Sequence, residues 1–272
     1  MKSFEERDPV GAETCVIVEV PHAGIFVPAE CLAELCAPAR AIARDADLYV
    51  DEIYAGAPSA GASLLAARLS RYVVDLNRGE EDIDAESVEG GPASSRAPRG
   101  IIWRLSSDRD RVLTGPLPRK SFDHRVRSFY RPYHERLQAL IADKRARFGR
   151  AIVLAAHSMP SVGRRGHTDL DAVRADVVPG TRGRTSAAGP IIDLVDQFFR
   201  TRGFEVRHDL PYSGGFTTQH YGRPADGVHV IQIELARRLY MDEFTLLPNP
   251  ERMEKLRALC TELVRAVGQA PS

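Results

Sequence analysis

Four apolar stretches of this chain run directly into residues able to do chemistry. TCVIVEV (14–20) leads to Pro21 and His22, RYVVDL (71–76) to Asn77 and Arg78, AIVLAA (151–156) to His157, and VHVIQIEL (228–235) carries Glu234 near its end. In open α/β sheets ligands bind beyond the carboxyl ends of the strands, so these four ends are where a site is expected. Two imidazoles and one carboxylate converging on a point would hold a catalytic zinc and leave a fourth position for water or substrate. Asp45, Asp47 and Asp51, in the segment DADLYVDEIY, are the candidate carboxylates. The spacing fixes no geometry, unlike an H-E-x-x-H helix, so only the fold can bring these groups together. A carboxylate beside such a site can shuttle the proton of an activated water, and Glu234 fits that role; a salt bridge to Arg237 or Arg238 is its structural alternative. Arg78 could grip a carboxylate through two parallel hydrogen bonds with Asn77 adding a neutral donor, which points to an acidic small molecule; the alternative is an ion pair with Asp75.

Other chemistries find no frame. Ser158 follows His157 without the G-x-S-x-G context of a nucleophile elbow. Neither G-x-x-x-x-G-K-[ST] nor G-x-G-x-x-G occurs, so phosphate-cradling and dinucleotide sites are not expected. Cys15, Cys31, Cys36 and Cys260 form no C-x-x-C pair and read as reduced thiols. The Gly214-Gly215 pair makes a turn or lets backbone approach a ligand.

The elements that must position these groups alternate. The runs at 14–20, 71–76, 151–156 and 228–235, with FEVRH (204–208), read as strands, the last of the four being apolar on both faces and therefore interior. Asp45 reads as the N-cap of a helix through Ile53 with Asp47 and Asp51 on one face. Phe122, Val126, Phe129, Tyr133, Leu137, Leu140 and Ile141 recur at helical spacing between Ser121 and Phe148, with a kink or break expected at Pro132. Pro190 opens a helix that stops at Gly203, and Asn249-Pro250 opens a last amphipathic helix. Residues 79–100 have no period and read as a long surface loop, either a lid or a locally disordered segment; a second loop runs over 160–189. The pattern predicts one α/β domain over residues 1–272, with a mixed or largely parallel sheet flanked by helices.

Bulk properties limit the partners. The 272 residues carry 37 basic and 37 acidic side chains and no net formal charge, unlike a general nucleic-acid or membrane-surface binder. With 43% hydrophobic and 27% charged residues the chain reads as globular, and no apolar run approaches the ~18 residues of a membrane span. The opening MKSFEERDPV lacks a secretory apolar region, so a cytoplasmic location is expected.

Taken together, PHAGIFVP (21–28), DADLYVDEIY (45–54), SRYVVDLNRG (70–79), YRPYHERL (130–137), AHSMPSVG (156–163) and GGFTTQHYGRPADGVHVIQIELARRLYMDE (214–243) resemble the N-formylglutamate amidohydrolase family. The resemblance implies a fold similar to zinc carboxypeptidases and aspartoacylases, and a metal-activated water attacking the amide of a small N-acylated acidic amino acid, foremost N-formyl-L-glutamate. It maps His22 and His157 to metal ligands and Glu234 to the general acid/base. It favours Asp47 over Asp45 and Asp51 as third ligand, and makes His220 either a transition-state donor or a structural residue. Asn77 and Arg78, in the D-L-N-R run, look like an aspartoacylase segment that contacts substrate, and Gly214 and Gly215 are taken as further substrate-binding candidates. Zinc is the expected metal, although imidazole and carboxylate ligands also accept iron, cobalt or nickel. Two positions depart from the family pattern: Ala155 stands where aspartate is common, and Asp209 where asparagine is.

Overall fold

A computed structural model describes residues 2–91 and 98–270. Six strands, β1 (Phe4–Arg7), β2 (Val16–Val20), β3 (Ser63–Ala67), β4 (Ala151–Met159), β5 (Val177–Gly180) and β6 (Val228–Ala236), form one mixed sheet in the order β1-β3-β2-β4-β6-β5. The four inner strands are parallel, while β1 and β5 pair antiparallel at the edges. Every residue of β2, β3, β4 and β6 is buried, which is why β2, β4 and β6 read as near-continuous apolar runs, while β3, SLLAA, is not among the expected strands.

Eight helices accompany the sheet among the described residues: α1 (Ala29–Leu32), α2 (Ala39–Asp45), α3 (Val50–Ile53), α4 (Arg119–Arg125), α5 (Arg131–Phe148), α6 (Gly189–Arg200), α7 (Phe216–Tyr221) and α8 (Pro250–Gly268). Ile53 of α3, Ile192 and Val195 of α6 and Leu263 of α8 pack with Val18, Leu154 and Ile233 on one face. Phe122 of α4 and Tyr133 and Leu137 of α5 cover Ile17, Val153 and Val230 on the other, together with the segments around Val73 and Ile101. Asn249 caps α8 by accepting the Arg252 N–H at 3.0 Å, as its position before Pro250 predicts.

Several expected elements differ. Residues 71–76 form turns, not a strand: Asp75 N donates to Ile101 O and the buried Arg125 guanidinium takes the Tyr72 and Val73 carbonyls, so loop and side-chain partners replace a ladder. FEVRH contributes only a single bridge, Val177 to Val206. Asp45 ends α2 rather than capping a helix, and Tyr49, with φ of 67°, breaks the chain between Asp47 and α3, so Asp47 and Asp51 share no helix face. The helix expected over 121–148 is α4, a π-turn at Val126–Tyr130, and α5 with Pro132 in its first turn, where a missing N–H costs little. The 160–189 segment contains β5, and the opening ten residues contain β1. Part of the 79–100 segment is anchored, since Ile83, Asp84, Ser87 and Val88 are buried; residues 92–97 of that expected loop lie outside the described residues.

On the face covered by α5, side chains turn polar toward the carboxyl ends of the parallel strands. Ile17 is followed two residues on by Glu19, Val153 by Ala155 and His157, and Val230 by Gln232 and Glu234. The register sets Glu19, Ala155 and Gln232 on one rung and His157 beside Glu234 on the next. This switch from packing to chemistry within single strands builds the floor of the site.

Candidate metal centre and active site

His22 follows β2, His157 belongs to β4, and Asp47 sits between α2 and α3, tied back by its N–H to the His22 carbonyl at 2.9 Å. His22 Nδ1 and His157 Nδ1 are 3.2 Å apart, His157 Nδ1 and Asp47 Oδ2 3.0 Å, and His22 Nδ1 and Asp47 Oδ2 3.7 Å. Ligands about 2.1 Å from a tetrahedral ion stand about 3.4 Å from one another, so the three atoms have the spacing of one face of such a site. Their partners support that fit. Asp75 Oδ1, which can only accept, lies 2.8 Å from His22 Nε2, so the ring carries its proton there and presents the Nδ1 lone pair to the centre. Asp47 Oδ2 offers the third ligand atom of that face.

The other two aspartates are outside the cluster, although Asp45 lines the same cavity. Asp45 is spent on the fold, accepting Tyr72 Oη at 2.6 Å and Ser107 N at 2.9 Å and pairing with Arg164 at 3.0 Å. Asp51 is exposed on α3.

Glu234 is buried on the strand beside His157 and accepts Gln232 Nε2 at 2.8 Å. Neither alternative ion pair forms: Arg237 reaches the Ala46 and Arg44 carbonyls and Asp47, and Arg238 pairs with Asp176. Burial, with the Asp47 charge adding to it, raises the Glu234 carboxyl above its usual range.

Asn77 is held from several sides: its amide lies 3.3 Å from His157 Nε2 and donates to Gln232 Oε1 at 3.2 Å, and its Oδ1 accepts Thr217 N at 3.0 Å. Gly215 lets the chain pass this amide; a Cβ there would sit 2.4 Å from Asn77 Nδ2. Gly214, at φ of 109°, makes the preceding turn. Arg78 donates Nε to Arg99 O at 2.9 Å and Nη1 to Asn77 O at 3.0 Å, and the expected alternative with Asp75 does not form, because Arg71 takes that carboxylate at 2.8 Å. His22, Asp47, His157, Glu234, Asn77, Arg78, Gly214 and Gly215 all line one cavity of about 490 Å³. His220 does not line it. It stacks on Phe216 at 4.7 Å and faces an adjoining cavity that shares Asn77, Arg78 and the glycine pair.

Sequence reasoning passed over several residues of the site. Asp75 organises His22, Arg71, Trp103 Nε1 at 2.8 Å and Asn77 N at 2.8 Å, yet its sequence neighbours do not reveal a role as hub. Glu19 is buried beside Ala155 and accepts Tyr133 Oη and Thr217 Oγ1, both at 3.2 Å, while its Oε2 has no partner. A lone charge inside TCVIVEV was the available signal. Asp209, at φ of 59°, accepts Thr181 N and Gly183 N and thereby fastens the turn beside Gly214 rather than facing the cavity.

The family model described as FGase, N-formylglutamate amidohydrolase, matches residues 14–241. An N-formylglutamate deformylase of Pseudomonas aeruginosa is 31% identical over 93% of this chain and 92% of its own length. One of Pseudomonas putida is 28% identical over 84% and 82%. The crystal structure of N-formylglutamate amidohydrolase from Ralstonia eutropha superposes with a TM-score of 0.89 at 30% identity, covering 99% of this chain and 98% of that one. A gene product of Agrobacterium tumefaciens shares the fold at a TM-score of 0.72 and 18% identity, covering 98% and 95%. With a family match over most of its length and a buried two-histidine, one-aspartate cluster beside a free glutamate, this chain belongs to the N-formylglutamate amidohydrolase family, hydrolases of a linear amide.

Proposed function

We propose that this protein hydrolyses N-formyl-L-glutamate to formate and L-glutamate, using a zinc ion held by His22, Asp47 and His157. The observation that carries the reading is the 3.0–3.7 Å spacing of three ligand atoms next to Glu234, a carboxylate engaged by no cation within 4 Å among the described residues. When bound, zinc supplies Lewis acidity, polarising the formyl carbonyl and acidifying the attacking water toward a pKa of ~7. Glu234 accepts the proton that water loses as its oxygen bonds to the formyl carbon. It then delivers that proton to the glutamate nitrogen as the C–N bond breaks, so water is consumed and formate and a free amine leave. A base raised by burial suits both transfers, because it takes a proton readily and holds it until the nitrogen departs. Asn77 and Arg78 orient the substrate through a carboxylate, and Gly215 lets the backbone close on that position.

Glu234→Gln tests the assignment. The amide keeps the shape and the Gln232 contact but cannot take a proton, so kcat falls by ~100-fold or more while metal content stays at the wild-type value. Near-normal turnover by this variant contradicts the role.

A further inference from the structure

Five of the seven guanidiniums lining the cavity have a carboxylate within 4.0 Å, among them Arg71 on Asp75, Arg164 on Asp45 and Arg174 on Asp169. Arg78 and Arg99 have none among the described residues, and the stretch 92–97 contains no acid. Arg99 is nonetheless not a loose surface cation. It donates to the Gly166 carbonyl and to Ser107 Oγ at 3.4 Å, and its guanidinium lies 5.8 Å from the Trp103 ring, which Arg71 approaches from 4.4 Å. Burial, then the Arg174, Arg99 and Arg164 cations, push the neighbouring His167 imidazole down to about 4. A half-buried cation held in place without an anion is a vacant receptor for one.

We infer that Arg99 binds the side-chain carboxylate of a dicarboxylic N-acyl amino acid, Arg78 taking the α-carboxylate, so that Arg99 selects an acidic over a neutral side chain. The order follows from connectivity. Asn77, the chain neighbour of Arg78, touches His157, whereas Arg99 meets this pair only by its main-chain carbonyl, which accepts from Arg78 Nε, while its guanidinium is held against Ser107, Gly166 and Trp103. The α-carboxylate is one carbon from the scissile nitrogen, and the side-chain carboxylate lies further out. This inference rests on the deformylase reading and adds to it the residue that reads the side chain.

The test compares N-formyl-L-glutamate with N-formyl-L-glutamine, which differs only in lacking the second charge, for wild type and Arg99→Gln loaded with zinc. The wild type prefers the glutamate substrate. In the variant, kcat/KM for the glutamate substrate falls about 10- to 100-fold, the worth of a charge-assisted contact, while that for the glutamine substrate stays within about threefold. Glutamine turnover thus reports an intact fold and metal site in the same protein. Equal losses on both substrates, or an unchanged preference, overturn the inference while leaving deformylation standing. Absence of formate from either substrate with wild type overturns the functional reading and this inference together.

Discussion

Replacing Glu19 by Gln should stabilise the protein at alkaline pH and leave it unchanged in mild acid. Burial raises the Glu19 carboxyl to about 7 from 4.5, outweighing the opposing pull of His157 and the hydrogen bonds from Thr217 and Tyr133. A raised acid binds its proton more tightly in the folded than in the unfolded chain, so folded stability is greatest below the unfolded value and falls as pH rises toward the folded one. A shift of that size corresponds to about 3 kcal/mol in full, of which about 2 kcal/mol lies between pH 5 and pH 8. Gln keeps an oxygen for Tyr133 and Thr217 and places its amide where Oε2 already lacks a partner, so the substitution removes the ionisation while changing little else. Urea unfolding of chelator-treated wild type and variant at both pH values isolates the effect. The variant should gain about 2 kcal/mol over wild type at pH 8 relative to pH 5. A difference between the two proteins that does not change with pH would refute the argument that Glu19 is held protonated by burial.

Asp75→Asn removes the negative charge behind His22 and lets an amide N–H compete for the same position, so it should weaken zinc binding about 10- to 100-fold in a competition with a chromophoric chelator; unchanged affinity would remove the Asp75 charge from the metal's support. Gly215→Ala forces a methyl to within 2.4 Å of Asn77 Nδ2, so Asn77 must move, and kcat/KM for formylglutamate should fall by about 100-fold; near-normal kinetics would mean that Asn77 does not position substrate.

The legibility of this protein followed the physics of each residue. Interior parallel strands were readable because burial on both faces makes them continuously apolar, and the site residues were readable because each follows or interrupts such a run, as His22, His157 and Glu234 do. Residues 71–76 misled for the same reason: a buried β-branched run looks like a strand even where Arg125 and Ile101 satisfy its backbone. β3, with the small and helix-tolerant sequence SLLAA, owes its conformation to β1 and β2 on either side, a tertiary effect that its own residues do not announce. Spacing left Asp45, Asp47 and Asp51 open and the family resemblance favoured Asp47, while the Tyr49 break and the contacts of Tyr72, Ser107 and Arg164 give the physical grounds for setting the other two apart. Asp75 meets His22 and Trp103, and Arg99 meets Gly166, across long stretches of chain, so no local spacing could have marked these contacts. Among the described residues no helix is long and apolar enough to cross a membrane.

The most direct test of the central claim is formate release from N-formyl-L-glutamate by the purified protein, with metal measured in the same sample before and after chelation. The account predicts about one zinc per chain, and formate release that chelation abolishes and added zinc restores. Formate release that persists in fully metal-free protein would contradict it.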